Sequence, residues 1–246
     1  MKETRETKHI GIVACSAEGA ALCYRTICME APELLGEHNH PEITMHTFPL
    51  SRYMGFIREN DWQGVADLMI ASSEILADAG ADFAICPDNT IHQAFDIVAR
   101  NSRIPWLHIA GAVASLAREK GYQKVGVLGT RYLMEGPVYP GALGALGLEH
   151  EVPDAERRLK INEIIFSKLV NGVFDEPSRR YFQSCIAALK NQGCDSVVLG
   201  CTEIPLLISQ EHSSLPVLDS TRTLARAALG NAMKAELKPA EHRSHL

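Results

Sequence analysis

Short apolar runs dense in valine and isoleucine alternate along the chain with longer segments in which apolar residues recur at i, i+3 and i+4. HIGIVA (9–14), ITMHTF (43–48), FAIC (83–86), PWLHI (105–109), KVGVLG (124–129), SVVLGC (196–201) and PVLDS (216–220) are predicted as buried strands. WQGVADLMIASSEILADAG and SRRYFQSCIAALKNQG have the helical period and run into Gly80 and Gly193, residues suited to stopping a helix. Buried strands alternating with amphipathic helices predict an α/β fold with parallel sheets.

The pattern also repeats. His9-Ile-Gly-Ile-Val matches Lys124-Val-Gly-Val-Leu, Gly80-Ala-Asp-Phe-Ala-Ile matches Gly193-Cys-Asp-Ser-Val-Val, and Ile104-Pro-Trp-Leu-His matches Leu215-Pro-Val-Leu-Asp, at offsets of 115, 113 and 111 residues. Three matches in the same order imply two copies of one unit. The expected architecture is two pseudo-symmetric lobes, each a parallel sheet flanked by helices, with the active site in the cleft between them. Residues 8–110 would form the first lobe and 111–219 the second, and a C-terminal helix over 220–235 would complete the first. Continued without gaps, the middle match sets Asp88 opposite Cys201, Asn89 opposite Thr202 and Thr90 opposite Glu203. Both loops follow the C-terminal end of a strand, where open α/β sheets place ligands.

Composition narrows the partners. The 246 residues are 46% hydrophobic and 22% charged, ordinary for a globular chain with a sizeable core. A net charge of −6 with scattered Lys and Arg argues against nucleic acid. No run is long and apolar enough for a membrane span, and the charged start MKETRETK lacks the apolar stretch of a secretory signal. Seven irregularly spaced cysteines fit free thiols and a cytoplasmic location. Cys23 and Cys28 lack the further ligands a metal would need, so no metal is expected. The tail from Lys234 reads as a polar terminus.

Two proton-carrying groups on opposite sides of a small molecule are what inversion of a carbon centre requires. One removes the Cα proton and the other returns a proton to the far face. Oriented donors must hold the substrate carboxylate as carbanion character develops, and Asn89, Thr90, Thr202 and loop N–H groups are suitable types. A thiol tuned toward neutrality by loop amides serves as acid or base.

LGCTEIPLLI, NTIH, GTRYLMEGPVY and LPVLDST together resemble the aspartate/glutamate racemase superfamily over residues 8 to 232. The resemblance implies a two-lobed fold, a homodimer, no cofactor and in particular no pyridoxal phosphate, and one catalytic cysteine per lobe. It implies that Cys201 is the second of these cysteines, that Asn89 and Thr90 grip the substrate α-carboxylate, and that Thr130 and Thr202 supply further hydroxyls. Ser16 and Glu203 complete the expected substrate-binding set, and the substrate class is an amino acid or small dicarboxylate. Three departures stand out: Asp88 occupies the first cysteine position, ACSAEGAA replaces a glycine-rich loop, and Leu133 stands where a threonine is usual. They predict a pocket unlike a standard aspartate site.

Asp88 has three readings, as acid/base opposite Cys201, as a helix cap for the turn near Thr90, or as a source of pocket charge. Cys86 reads as core, and His92 and His108 as structural histidines. Arg52 is expected to hold a substrate side-chain carboxylate, with Arg131 as competitor. PGALGALG (140–147) lacks the strand-to-helix setting of a nucleotide loop. Cofactor-independent racemisation by Cys201 and Asp88 is the expected function. The alternatives are a superfamily decarboxylase, a cis–trans isomerase, a hydantoin racemase, or a two-lobed protein that binds without catalysing.

Overall fold

In the computed structural model, which describes residues 7–234, eight strands and eleven helices follow one another as two α/β units. The first contains β1 (Ile10–Ala14), α1 (Ala17–Leu35), β2 (Ile43–Thr47), α2 (Leu50–Arg58), α3 (Trp62–Asp78), β3 (Phe83–Ile85), α4 (Phe95–Asn101) and β4 (Trp106–Leu107). After α5 (Ile109–Glu119) come β5 (Lys124–Leu128), α6 (Arg131–Met134), α7 (Val138–Gly144), β6 (Glu149–Glu151), α8 (Ala155–Ser167), α9 (Glu176–Asn191), β7 (Ser196–Leu199), α10 (Ile204–Leu207), β8 (Val217–Asp219) and α11 (Ser220–Ala232). The two sheets are parallel, ordered β2-β1-β3-β4 and β6-β5-β7-β8, so the repeat in the sequence is a repeat in topology.

Period-two alternation divides each central strand between two cores. Ile10 and Ile12 of β1 face α1 and α11, while Val13 faces α2 and α3. Val125 and Val127 of β5 face α5 and α7, while Leu128 faces α8 and α9. On the α3 and α9 faces the strands carry glycine at matching places. A Cβ on Gly11 would sit 3.0 Å from Leu76 Cδ1, and one on Gly126 would sit 2.9 Å from Leu189 Cδ1. These glycines let a helix leucine lie directly on the strand backbone. Both following helices stop where the sequence indicates, with Gly80 and Gly193 at φ of 92° and 89°.

The lobes exchange their closing helices. α5 follows the first sheet but packs Ala110, Val113, Ala114 and Ala117 onto the second. α11 follows the second sheet but packs Leu224, Ala225 and Ala228 onto the first, against Ile10, Ile12 and Ile85. The helix expected over 220–235 ends at Ala232, and residue 235 lies outside the described residues, as do the charged start before residue 7 and the polar tail beyond Lys234.

All seven predicted strands are shorter than their apolar runs, and two of them end against a helix cap. β4 stops at Leu107 because His108 caps α5, accepting from Gly111 N–H. β8 stops at Asp219, which caps α11 by accepting from Arg222 N–H. In both, a side chain that satisfies a helix N-terminus overrides strand propensity. The β6 segment Glu-His-Glu carries no apolar signal, because it is a charged edge strand.

Adding a methyl group at either strand glycine tests the helix seats. Gly11→Ala and Gly126→Ala should each cost about 1–3 kcal/mol through overpacking, read as a lower urea midpoint with an unchanged m-value. Wild-type midpoints would contradict the packing described.

Candidate active site

Asp88 and Cys201 occupy the two repeat-related loops and line one cavity, which encloses about 600 Å³ of empty space, its open mouth included. Ser16, Asn89, Thr90, Thr130, Thr202 and Glu203 line it too, so all but one of the predicted site residues converge there. Local rules set each one. Ser16 caps α1, its Oγ accepting from Gly19 N–H at 3.3 Å. Thr130 caps α6 in the same way, from Leu133 N–H at 3.2 Å.

Hydroxyl pairs bridge the lobes. Ser16 Oγ and Thr202 Oγ1 are 3.3 Å apart, and Thr90 Oγ1 and Thr130 Oγ1 are 3.0 Å apart. Each pair joins the cap of one lobe's first-strand helix to the other lobe's loop. Below them runs a buried relay: Tyr139 OH donates to Asn89 Oδ1 at 2.8 Å, Asn89 Nδ2 donates to Ser220 Oγ at 2.9 Å, and Ser220 Oγ donates to Leu199 O at 2.9 Å. Leu199 ends β7, two residues before Cys201. Gly19 allows the close approach, since a Cβ there would lie 2.4 Å from Thr202 Cγ2.

Asp88 does not cap the turn at Thr90–Ala94. That turn has Asn89 at its cap position and no side-chain bond there. Instead Asp88 Oδ2 accepts from Ser16 N–H at 2.8 Å, and its carbonyl accepts from His92 Nδ1 at 2.8 Å. Burial pushes the Asp88 carboxyl up to about 6; the Ser16 N–H pulls the other way, and the Glu203 carboxylate adds to the rise. Cys201 Sγ–H donates to Glu203 Oε2 at 2.9 Å. Burial first, then the charge and hydrogen bond of Glu203, hold this thiol well above its ordinary value. The cavity thus contains a carboxyl that titrates near neutrality and, from the opposite lobe, a thiol that stays protonated there.

His92 is structural. Its Nδ1 donates to Asp88 O, its Nε2 accepts from Ile109 N–H at 3.3 Å, and burial pushes it down to about 3, so it is a neutral brace for the loop. His108 caps α5 and packs on His92 with ring centroids 4.8 Å apart. Cys86 is fully buried in the core beside Val13. Leu133 does not line the cavity; it lies under the Cys201 loop, filling the space that a Cβ on Gly200 would enter at 2.5 Å.

Arg52 is the exception among the predicted site residues. It is exposed, its guanidinium 4.4 Å from the Phe48 ring centroid, and α2 presents Leu50, Met54 and Ile57 to the cavity instead. Those three follow the helical period, and residue 52 falls on another face. Sequence reasoning also missed Cys15, which lines the wall beside Ser16 as a buried thiol raised by burial and then by Asp88. Ile165, Phe166 and Val170 form a second apolar wall, and the INEIIF run of α8 was the available signal. Among the described residues no group of three His, Cys, Asp or Glu could hold a metal ion, and no helix is long and apolar enough to cross a membrane.

Comparison with known proteins gives one consistent answer. A family model described as Asp/Glu/Hydantoin racemase matches residues 10–228. The broad specificity amino-acid racemase RacX of Bacillus subtilis (strain 168) is 23% identical over 194 residues, spanning 78% of this chain and 82% of RacX. A solved structure of an Asp/Glu racemase candidate from Yersinia pestis is similar at a TM-score of 0.86 and 33% identity, covering 92% of this chain and 100% of that one. PH1733, an aspartate racemase homologue from Pyrococcus horikoshii OT3, is similar at 0.80 and 29% identity, with coverage of 92% and 100%.

Asp88 makes stability depend on pH. Its value of about 6 in the fold lies above the ~3.9 of an unfolded aspartate, so the native state binds more proton between these values and loses stability as pH rises through them. Asp88→Asn keeps an oxygen for Ser16 N–H but cannot ionise. The variant should exceed the wild type by about 1–2 kcal/mol at pH 7.5 and match it at pH 4 in urea unfolding. An equal difference at both pH values would refute the buried ionisation.

Proposed function

Since the chain belongs to the Asp/Glu/Hydantoin racemase family, we propose that it inverts Cα of an amino acid without a cofactor, using Asp88 and Cys201 as the two proton carriers. The observation that supports this most is that these residues occupy equivalent repeat positions and line one cavity from different lobes. In one direction the Asp88 carboxylate takes the Cα proton while the Cys201 thiol gives its proton to the other face, leaving a protonated Asp88 and a Cys201 thiolate. The reverse direction starts from that second state. Thr90 and Thr130 share one hydrogen bond between their hydroxyls, which leaves one proton of the pair to donate to the substrate carboxylate. Glu203 is a positioning residue, fixing the Cys201 thiol by accepting its proton in a hydrogen bond.

The two carriers are unequal. With Asp88 near 6 and Cys201 well above its ordinary value, the free enzyme at neutral pH rests as Asp88 carboxylate and Cys201 thiol. The state left after one turnover is therefore the minor one and returns by exchanging protons with solvent. The two enantiomers should differ in kcat and in KM while sharing one kcat/KM, as an equilibrium constant of one requires.

Incubation with amino acids in D₂O, followed by proton NMR at Cα, tests the reaction. Exchange accompanied by loss of optical rotation is expected, with Cys201→Ser and Asp88→Asn each lowering the rate by about 10²–10⁴. Exchange confined to one enantiomer, or a fully active Cys201→Ser, would refute the two-carrier scheme. Removing the Glu203 charge should lower the thiol value. In Glu203→Gln, thiolate absorbance at Cys201, taken as the difference from the matching Cys201→Ser protein, should therefore appear at lower pH than in the parent.

A further inference from the structure

The chemistry of the cavity wall points beyond the reaction type. From the apolar lining and the direction of the nearby cations, we infer that the substrate is a zwitterionic α-amino acid with an apolar side chain, rather than aspartate, glutamate or a hydantoin. This rests on the racemase reading and names the substrate class of the same site.

Four cations adjoin cavity-lining residues in sequence; Arg58, next to Ile57, is exposed and does not line the cavity, and the other three are turned to other partners. Arg52, between Leu50 and Met54, lies over Phe48 at 4.4 Å. Arg131, between Thr130 and Tyr132, pairs with Glu135 at 3.8 Å. Lys168, between Phe166 and Val170, pairs with Asp175 at 2.7 Å. Among the described residues no Lys, Arg or His lines the cavity, and a second substrate carboxylate would find no counter-charge there.

The wall instead offers Leu50, Met54 and Ile57 from α2 together with Ile165, Phe166 and Val170. Phe166 and Val170 remain 37% and 38% exposed at the mouth, leaving apolar surface for a ligand side chain to cover. Asp88 and Glu203, at the polar end, complement an ammonium group. An α-amino acid carries one there and a hydantoin ring does not, which favours the free amino acid. A dicarboxylate would instead bring an extra negative charge toward two acids.

The test reads binding without turnover. Calorimetry on the Cys201→Ser protein should give affinities rising from alanine through norvaline to norleucine by about fourfold at most for each methylene buried. Methionine should bind at least about tenfold more tightly than aspartate or glutamate. Aspartate or glutamate binding as tightly as methionine, a flat alkyl series, or 5-butylhydantoin binding more tightly than norleucine would each overturn the inference. Met54→Arg should move the preference toward glutamate, and an unmoved preference would count against α2 as the specificity wall. Absence of Cα exchange in the wild type, with the alkyl series still rising in the variant, would reject the racemase reading while upholding the ligand class.

Discussion

The site depends on a buried relay that crosses between lobes. Asn89 comes from the first lobe, and both hydrogen-bonding ends of its side chain are taken from the second half of the chain, by Tyr139 of α7 and by Ser220 at the junction of β8 and α11. Ser220 passes the connection to the carbonyl that ends β7. Every member is buried, so breaking a link leaves an unpaired polar group in a dry interior, at a cost of about 1–3 kcal/mol. That penalty fixes the spacing of the two loops, and the loops carry the two candidate proton carriers, Asp88 and Cys201. The Ser16–Thr202 and Thr90–Thr130 pairs act nearer the cavity, where a ligand can compete for their hydroxyls.

Within that frame, replacing a thiol by a carboxylate changes more than the acid strength of one group. Ser16 N–H and burial act on Asp88 in opposite senses, and burial wins. Glu203 raises both Asp88 and Cys201. One acidic residue therefore tunes both candidate carriers, although it contacts only the thiol. A symmetric pair of thiols would rest in two comparable proton states, whereas this pair has one dominant state.

Much of this was legible in the sequence because it was written twice. The repeat of His9–Val13 at Lys124–Leu128 and of Gly80–Ile85 at Gly193–Val198 gave both sheets and aligned Asp88 with Cys201. The missed features are those that neither repetition nor local pattern encodes. The Glu149–Glu151 strand has no apolar period because it lies at a sheet edge. Arg52 seemed suited to a carboxylate by residue type alone, but its place on α2 turns it to Phe48. Leu133 looked like a pocket substitution, yet it fills a gap made by two glycines, a contact set by strands β5 and β7 together. Cys15 needed the geometry of the β1 end to be seen as a wall residue.

The exchange of α5 and α11 bears on the ancestry of the chain. Each half-sequence contains the strands of one sheet but sends its final helix to cover the other. A half-length precursor would therefore leave an apolar sheet face open and close it only by trading helices with a second copy. Gene fusion would have turned that reciprocal trade into a covalent one. The two halves could then diverge, one loop carrying a sulfur and the other a carboxylate, which identical subunits cannot do.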